Sequence, residues 1–282
     1  MKNSTCLCGA VVVLASHGFL LADVIGIDNH PGSGPAEVWR VDPLTGMTTP
    51  VGAIVQWTSA YIPVASAGPG AFFALSPVNL YRYSFYADTN TPYYCVETVC
   101  PYIGDYADVF GSYYALGRLG NGQPQSLFRM TDTIQGGLHY EHFDYIGPLQ
   151  LPLQAPDLSI IEWDPAVGLY GTDGTSMGYL ISLTTGHATP LAPLQALIPG
   201  PAFFITGLAP DSDPRFLIAS SASYPMPGFT LISRLDPLTG FATPLNISPL
   251  NLVGLADIEM PEPAVAWTLA GGIALMMALR RR

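Results

Sequence analysis

The chain has 282 residues, a formal net charge of −11 and 11% charged residues. Its one lysine is Lys2, so lysine Schiff-base and lysine phosphate-clamp chemistry are excluded from everything that follows. The acidic balance argues against nucleic acid and anionic membrane surfaces as partners. The 27 prolines and 29 glycines exclude a helical-repeat architecture, because they would break helices throughout.

Residues 1–22 open with one positive charge, at Lys2, and continue into an apolar stretch from Cys6 to Ala22. This is the pattern of a secretory signal peptide, with cleavage after Ala22 or after Gly18. Cys6 and Cys8 fall inside the apolar run and would leave with it. The remaining body, 23–258, is a single repeat domain by this reading. From Asp23 to Met260 it carries twenty acidic and six basic residues and no lysine.

The body repeats itself. Val38-Trp39-Arg40-Val41-Asp42-Pro43-Leu44-Thr45-Gly46 is matched by Ile232-Ser233-Arg234-Leu235-Asp236-Pro237-Leu238-Thr239-Gly240, and a Thr-Pro follows each. A weaker copy runs over Leu180–Gly186, and degenerate ones begin at Leu80 and Leu127. The anchors at 38, 80, 127, 180 and 232 are separated by 42, 47, 53 and 52 residues. Such periods belong to propeller blades. The clearest unit predicts four strands, over 203–208, 216–219, 231–235 and 242–245, with Asp, Pro and Gly supplying the turns. Leu252–Ala256 reads as a first strand without a second, and Val24–Asp28 as a second without a first. Joined, they complete one blade from both chain ends and hide two strand edges. The expected fold is therefore all-β and β-propeller-like, with about five four-stranded blades closed by pairing the N- and C-terminal strands. A β-sandwich or two-domain all-β chain is the alternative. Over 40–60, 169–192 and 203–256 these units resemble the repeats of secreted bacterial propeller-like proteins; 60–160 does not carry the resemblance.

Candidate chemistry is sparse. Residues 81–114 are rich in tyrosine, and Tyr81, Tyr93, Tyr94, Tyr102 and Tyr106 form a candidate ligand-facing set, since amphipathic aromatics stack on sugars and peptides. The competing reading is that they fill sheet faces. Cys95 and Cys100 read as a small disulfide loop in an exported protein; a metal half-site would lack a second cysteine pair. His139 and His142 would share a face on a helix, but their aromatic neighbours favour a strand, where they point to opposite faces. Gly174-Thr175-Ser176-Met177-Gly178 matches the nucleophile-elbow pattern. Strand-like sequence on both sides places it in a hairpin instead. Asp211 and Asp213 have the spacing of half a calcium loop without its other ligands. Asp42 and Asp236 recur at equivalent repeat positions and are read as structural. No cofactor or metal is expected.

The tail reads Pro261-Glu262-Pro263, then sixteen uncharged residues over 264–279, then Arg280-Arg281-Arg282. The apolar run is slightly short of a full bilayer span, and the arginines can snorkel to extend it with their charges held on the cytoplasmic side. This tripartite pattern over 259–282 resembles the PEP-CTERM sorting signal of bacteria that make extracellular polysaccharide. The resemblance implies export, an inner-membrane precursor with a transmembrane helix at 264–279, processing by an exosortase-type enzyme, and a final place in the cell envelope or outside it. The resemblance gives an address, not a role. Because no complete catalytic constellation stands in the sequence, the expected role is that of an exported surface or matrix protein with non-enzymatic binding or structural work, and extracellular polysaccharide is a candidate partner. The alternative is a secreted carbohydrate-active hydrolase or lyase with a carboxylate pair in the propeller channel.

Overall fold

The computed structural model describes residues 23–28, 36–54, 62–66, 71–75, 80–84, 89–95, 101–195, 203–223 and 228–258. The expected signal peptide (1–22), the sorting tail (259–282) and Cys100 lie outside these residues, as do the side chains of Cys95, Tyr81, Tyr93 and Tyr94. Among the described residues there are twenty strands and no helix, and no helix long and apolar enough to cross a membrane.

The strands form four sheets. The first holds β1 (Asp23–Asp28), β2 (Ala36–Val41) and β3 (Thr48–Ile54), completed by the last strand of the chain, β20 (Leu252–Ile258). The order is β20-β1-β2-β3, and Asp23 pairs with Ile258. The two incomplete strands seen at the chain ends do close one sheet together. The second sheet has eight strands: β4 (Ile62–Ser66), β5 (Ala71–Leu75), β6 (Leu80–Ser84), β7 (Thr89–Cys95), β8 (Tyr102–Val109), β9 (Ser112–Arg118), β10 (Ser126–Gln135) and β11 (Leu138–Pro148). The third holds β12 (Ile160–Asp164), β13 (Gly168–Thr172), β14 (Met177–Ile181) and β15 (Ala188–Pro193). The fourth holds β16 (Phe203–Pro210), β17 (Leu217–Ser223), β18 (Thr230–Leu235) and β19 (Ala242–Ser248), close to the four strands expected there.

The arrangement is propeller-like. The first strand of each set of four touches the next one round a ring: β4 meets β8, β8 meets β12, β12 meets β16, β16 meets β20, and β20 returns to β4. The sequence predicts five separate units, whereas the described strands form four sheets. The reason is local. β11 has eleven residues, and the segment His139–Glu141 pairs in parallel with Tyr93–Cys95 of β7. That pairing fuses β4–β7 to β8–β11.

Each core layer lies between neighbouring sheets. Ala107, Leu116 and Leu127 pack on Ile161, Leu169 and Ile181. Ile160 and Tyr170 pack on Ile205, Leu208 and Leu217. Ala209, Ile218 and Ile232 pack on Val24, Val41 and Leu255. Consecutive residues such as Ile160 and Ile161 therefore serve opposite layers. Strands buried on both faces read as near-continuous apolar runs, which is why the period of two is imperfect in this sequence. Each fully buried Leu or Ile contributes roughly 1.5–3 kcal/mol.

Candidate functional site: the central channel

Near the axis β8, β12, β16 and β20 enclose a cavity of about 210 Å³. Its wall includes Asp105, Ser159, Ile160, Thr206, Leu208 and Val253. The strands approach closely because small residues let them. A Cβ placed on Gly207 would lie 2.4 Å from the carbonyl carbon of Gly254, so only glycine fits there. The hydroxyls are committed to structure: Thr206 Oγ1 lies 3.1 Å from Ser220 Oγ and donates to the Leu252 carbonyl at 3.3 Å.

Asp105 is the titratable side chain in this wall. It is 6% exposed, and one carboxylate oxygen accepts the Ile161 N–H at 2.7 Å, tying β8 to β12. Burial pushes its pKa well above the usual carboxylate range, against the lowering effect of the Ile161 and Tyr106 N–H groups. Glu162 follows on β12. It is also buried, and its Oε1 accepts the Trp163 N–H at 2.8 Å. Burial raises its pKa strongly, and the negative charges of Asp257, Asp105 and Asp108 raise it further, while the Trp163 N–H opposes them. Three inner strands thus send mutually felt carboxyls toward one region. Burial favours the neutral, proton-bearing form of both Asp105 and Glu162 over what either would show in water.

The sequence reading missed Glu162 and a third buried acid, Glu141. The signal was available: an acid inside an apolar strand run, Ile160-Ile161-Glu162-Trp163, in a chain poor in charge. Glu141 stands between His139 and His142 in the sequence. It is 4% exposed, its Oε1 has no hydrogen-bond partner among the described residues, and burial together with the charge of Asp132 raises its pKa to about 7. Tyr106 is 1% exposed. Burial raises its pKa, and so do the charges of Glu141 and Asp105. Burial therefore takes Tyr106 out of the ligand-facing set and makes it a core residue. Tyr102 is 66% exposed and remains accessible.

The other sequence candidates fall into place as structure. Gly174–Gly178 spans the β13–β14 hairpin, with no helix after it. The Ser176 hydroxyl donates to Asp173, whose other oxygen accepts the Thr175 and Ser176 N–H groups at 2.8 and 2.7 Å. His139 and His142 lie on β11; His139 Nδ1 is 2.8 Å from an Asp132 oxygen, and His142 Nε2 is 3.1 Å from Thr133 Oγ1. Asp211 is held by the Arg234 guanidinium, and Asp213 by Arg215 at 2.6 Å. Among the described residues no group of three or more His, Cys, Asp or Glu could hold a metal ion.

At the far end of β8 and β12 the β8–β9 turn carries Phe110, which is 84% exposed. Its ring meets Trp163 edge-on, with centroids 5.3 Å apart and planes at 68°.

No family model and no curated protein matches the chain. Among solved structures it is similar to TolB from Acinetobacter baumannii, at 10% identity and a TM-score of 0.46 over 82% of this chain and 54% of that one. The chain thus spans about half the length of that protein. It is also similar to a PQQ-bound aldose sugar dehydrogenase from Streptomyces coelicolor, at 14% identity and a TM-score of 0.45 over 72% of this chain and 73% of that one. A periplasmic gluconolactonase, PpgL, from Pseudomonas aeruginosa matches at 13% identity and a TM-score of 0.43 over 81% and 83%.

Proposed function

We propose that the chain is an exported cell-envelope or matrix protein that binds carbohydrate without turning it over. In this reading residues 1–22 are its signal peptide and 259–282 its exosortase-type sorting signal, with Pro261, Glu262, Pro263 and Arg280–Arg282 as the recognised residues. The body is a five-bladed propeller. Support for five comes from the repeat anchors, which fall on β2, β6, β10, β14 and β18, and from the ring of β4, β8, β12, β16 and β20. The observation that carries the binding role is the wall of the axial cavity. It is largely apolar, and its one carboxyl, Asp105, is already engaged by a backbone N–H. A concave apolar pocket with few polar groups is a binding site by default.

A second reading has a specific observation in its favour. Asp105 and Glu162 are buried acids on adjacent inner strands whose pKa values burial raises, and a hydrolase or lyase needs a proton donor with a raised pKa. Purified residues 23–258, offered neutral and acidic polysaccharides, separate the two. Binding in calorimetry with no new reducing ends or unsaturated products supports the binder. Product release that Glu162→Gln abolishes supports the enzyme. If neither binding nor turnover is detected, the carbohydrate reading falls. The address is tested by fractionating cells that carry the intact chain or one lacking 261–282; identical partitioning sinks the sorting signal.

A further inference from the structure

Phe110 and Gly111 are the two central residues of the β8–β9 hairpin, between the paired residues Val109 and Ser112. Their φ angles are +52° and +78°, so this is the doubly left-handed turn that Asn-Gly or Gly-Gly normally fills. A bulky residue at positive φ is an outlier, and this one also holds a phenyl ring in water. Two unfavourable choices meet at one position, and a turn-forming Asn would relieve both. The turn already has its side-chain support, since an Asp108 oxygen accepts the Gly111 N–H at 2.6 Å. What the phenylalanine adds is an aromatic surface. Trp163 meets that ring in an edge-to-face contact, and most of the Phe110 side chain still faces water.

This end of the channel is distinct from the cavity. The cavity is lined by Gly104–Asp105 of β8, by Ser159 and by Ile160–Ile161 of β12, whereas Phe110 follows the last residue of β8 and Trp163 is the penultimate residue of β12. The surroundings are acidic, with the half-buried Asp108 and Asp257 at the same strand ends. We infer that Phe110, seated on Trp163, is a stacking platform for a pyranose ring of a neutral glycan. The C–H face of a sugar stacks on an aromatic ring, and negative charge at these strand ends disfavours uronates. This rests on the carbohydrate reading above and assigns it a second contact point.

The test uses residues 23–258 with cellohexaose and mannohexaose as neutral probes and a hyaluronan hexasaccharide as the anionic control. Phe110→Ala should weaken neutral-glycan binding about tenfold without lowering the melting temperature. Phe110→Asn should lose the same binding while raising the melting temperature. If both variants bind as the parent does, the platform is overturned and the carbohydrate reading stands. If the parent binds none of the probes, both fall. Equal binding of hyaluronan overturns the neutral class.

Discussion

The third and fourth sheets, with the first, join their neighbours in one way, and the eight-stranded sheet joins its halves in another. In the three regular sheets the turn between the last two strands repeats the same hydrogen bonds. Gly46, Gly186 and Gly240 donate to the carbonyls of Asp42, Ser182 and Asp236 at 2.7, 2.8 and 2.9 Å. Each of these glycines has positive φ and is pressed against a strand of the preceding sheet or the residue after it: Gly46 on β19, Gly186 on β11 and Gly240 at the end of β15. The Thr-Gly turn is a latch between units. The β10–β11 hairpin has Gly136 and Gly137 with open space around both, and it exposes Ile134 and Leu138. Here the join is the parallel pairing of β11 with β7. The repeat motif is thus read by the neighbouring sheet, and where the motif decays a strand edge takes over its work.

The largest expected effect breaks a latch. A Cβ at Gly240 would lie 2.2 Å from the Pro193 carbonyl oxygen, and one at Gly186 would lie 2.4 Å from that of Gly147. Gly240→Ala or Gly186→Ala should cost about 3 kcal/mol or more in urea unfolding, from backbone strain and clash together. Gly137→Ala meets strain alone and should cost about 1 kcal/mol. Equal losses at all three would remove the distinction between latch and hairpin.

The next effect belongs to the eight-stranded sheet alone. Glu141 has a folded pKa of about 7 against an ordinary 4.5. Because the folded pKa is raised, its stabilising contribution is complete below pH 4.5 and is lost as pH rises to about 7. The loss is up to ~3 kcal/mol, at about 1.4 kcal/mol per pKa unit. Glu141→Gln should keep the neutral form at every pH and flatten that part of the stability profile. A variant whose stability still falls between pH 4.5 and 7 by the parental amount would place the titration elsewhere.

The same contrast governs what could be read from sequence. Sheet four and the closure of β1 on β20 were legible because local turn chemistry marks strand ends: Asp236-Pro237 starts a turn, Gly240 ends it, and Leu252–Ala256 lacks a following partner strand. The span 60–160 was not legible, because a parallel pairing between Tyr93–Cys95 and His139–Glu141 leaves no mark in either segment. The acids of the channel were illegible for a related reason. Whether Glu162 is a solvated strand residue or a buried acid depends on the neighbouring strands that cover it, and the charge that adds to the effect of burial comes from Asp257, almost a hundred positions away. Phe110 could have been found: Phe-Gly at a two-residue turn, where Asn-Gly is expected, is a local conflict visible in the letters.

The smallest expected effect sharpens the latch itself. In two of the three latches an aspartate organises the turn. Asp42 Oδ1 accepts the Leu44 and Thr45 N–H groups at 2.8 and 3.3 Å, and Asp236 Oδ1 accepts those of Leu238 and Thr239 at 2.9 and 3.3 Å. In the third, Ser182 offers a hydroxyl that accepts one N–H, from Thr185 at 3.2 Å. Removing either aspartate side chain leaves the glycine latch in place and strips the turn of two acceptor contacts, so Asp42→Ala and Asp236→Ala should each cost about 1 kcal/mol. Ser182→Ala should cost less, because its uncharged hydroxyl accepts a single N–H and its other contact, with Thr184 Oγ1 at 3.1 Å, is exposed. Chemical unfolding of the three variants checks the order. If Ser182→Ala were the costliest, the turn would be held by something other than the group at its first position, and the equivalence of the three latches would fail at its root.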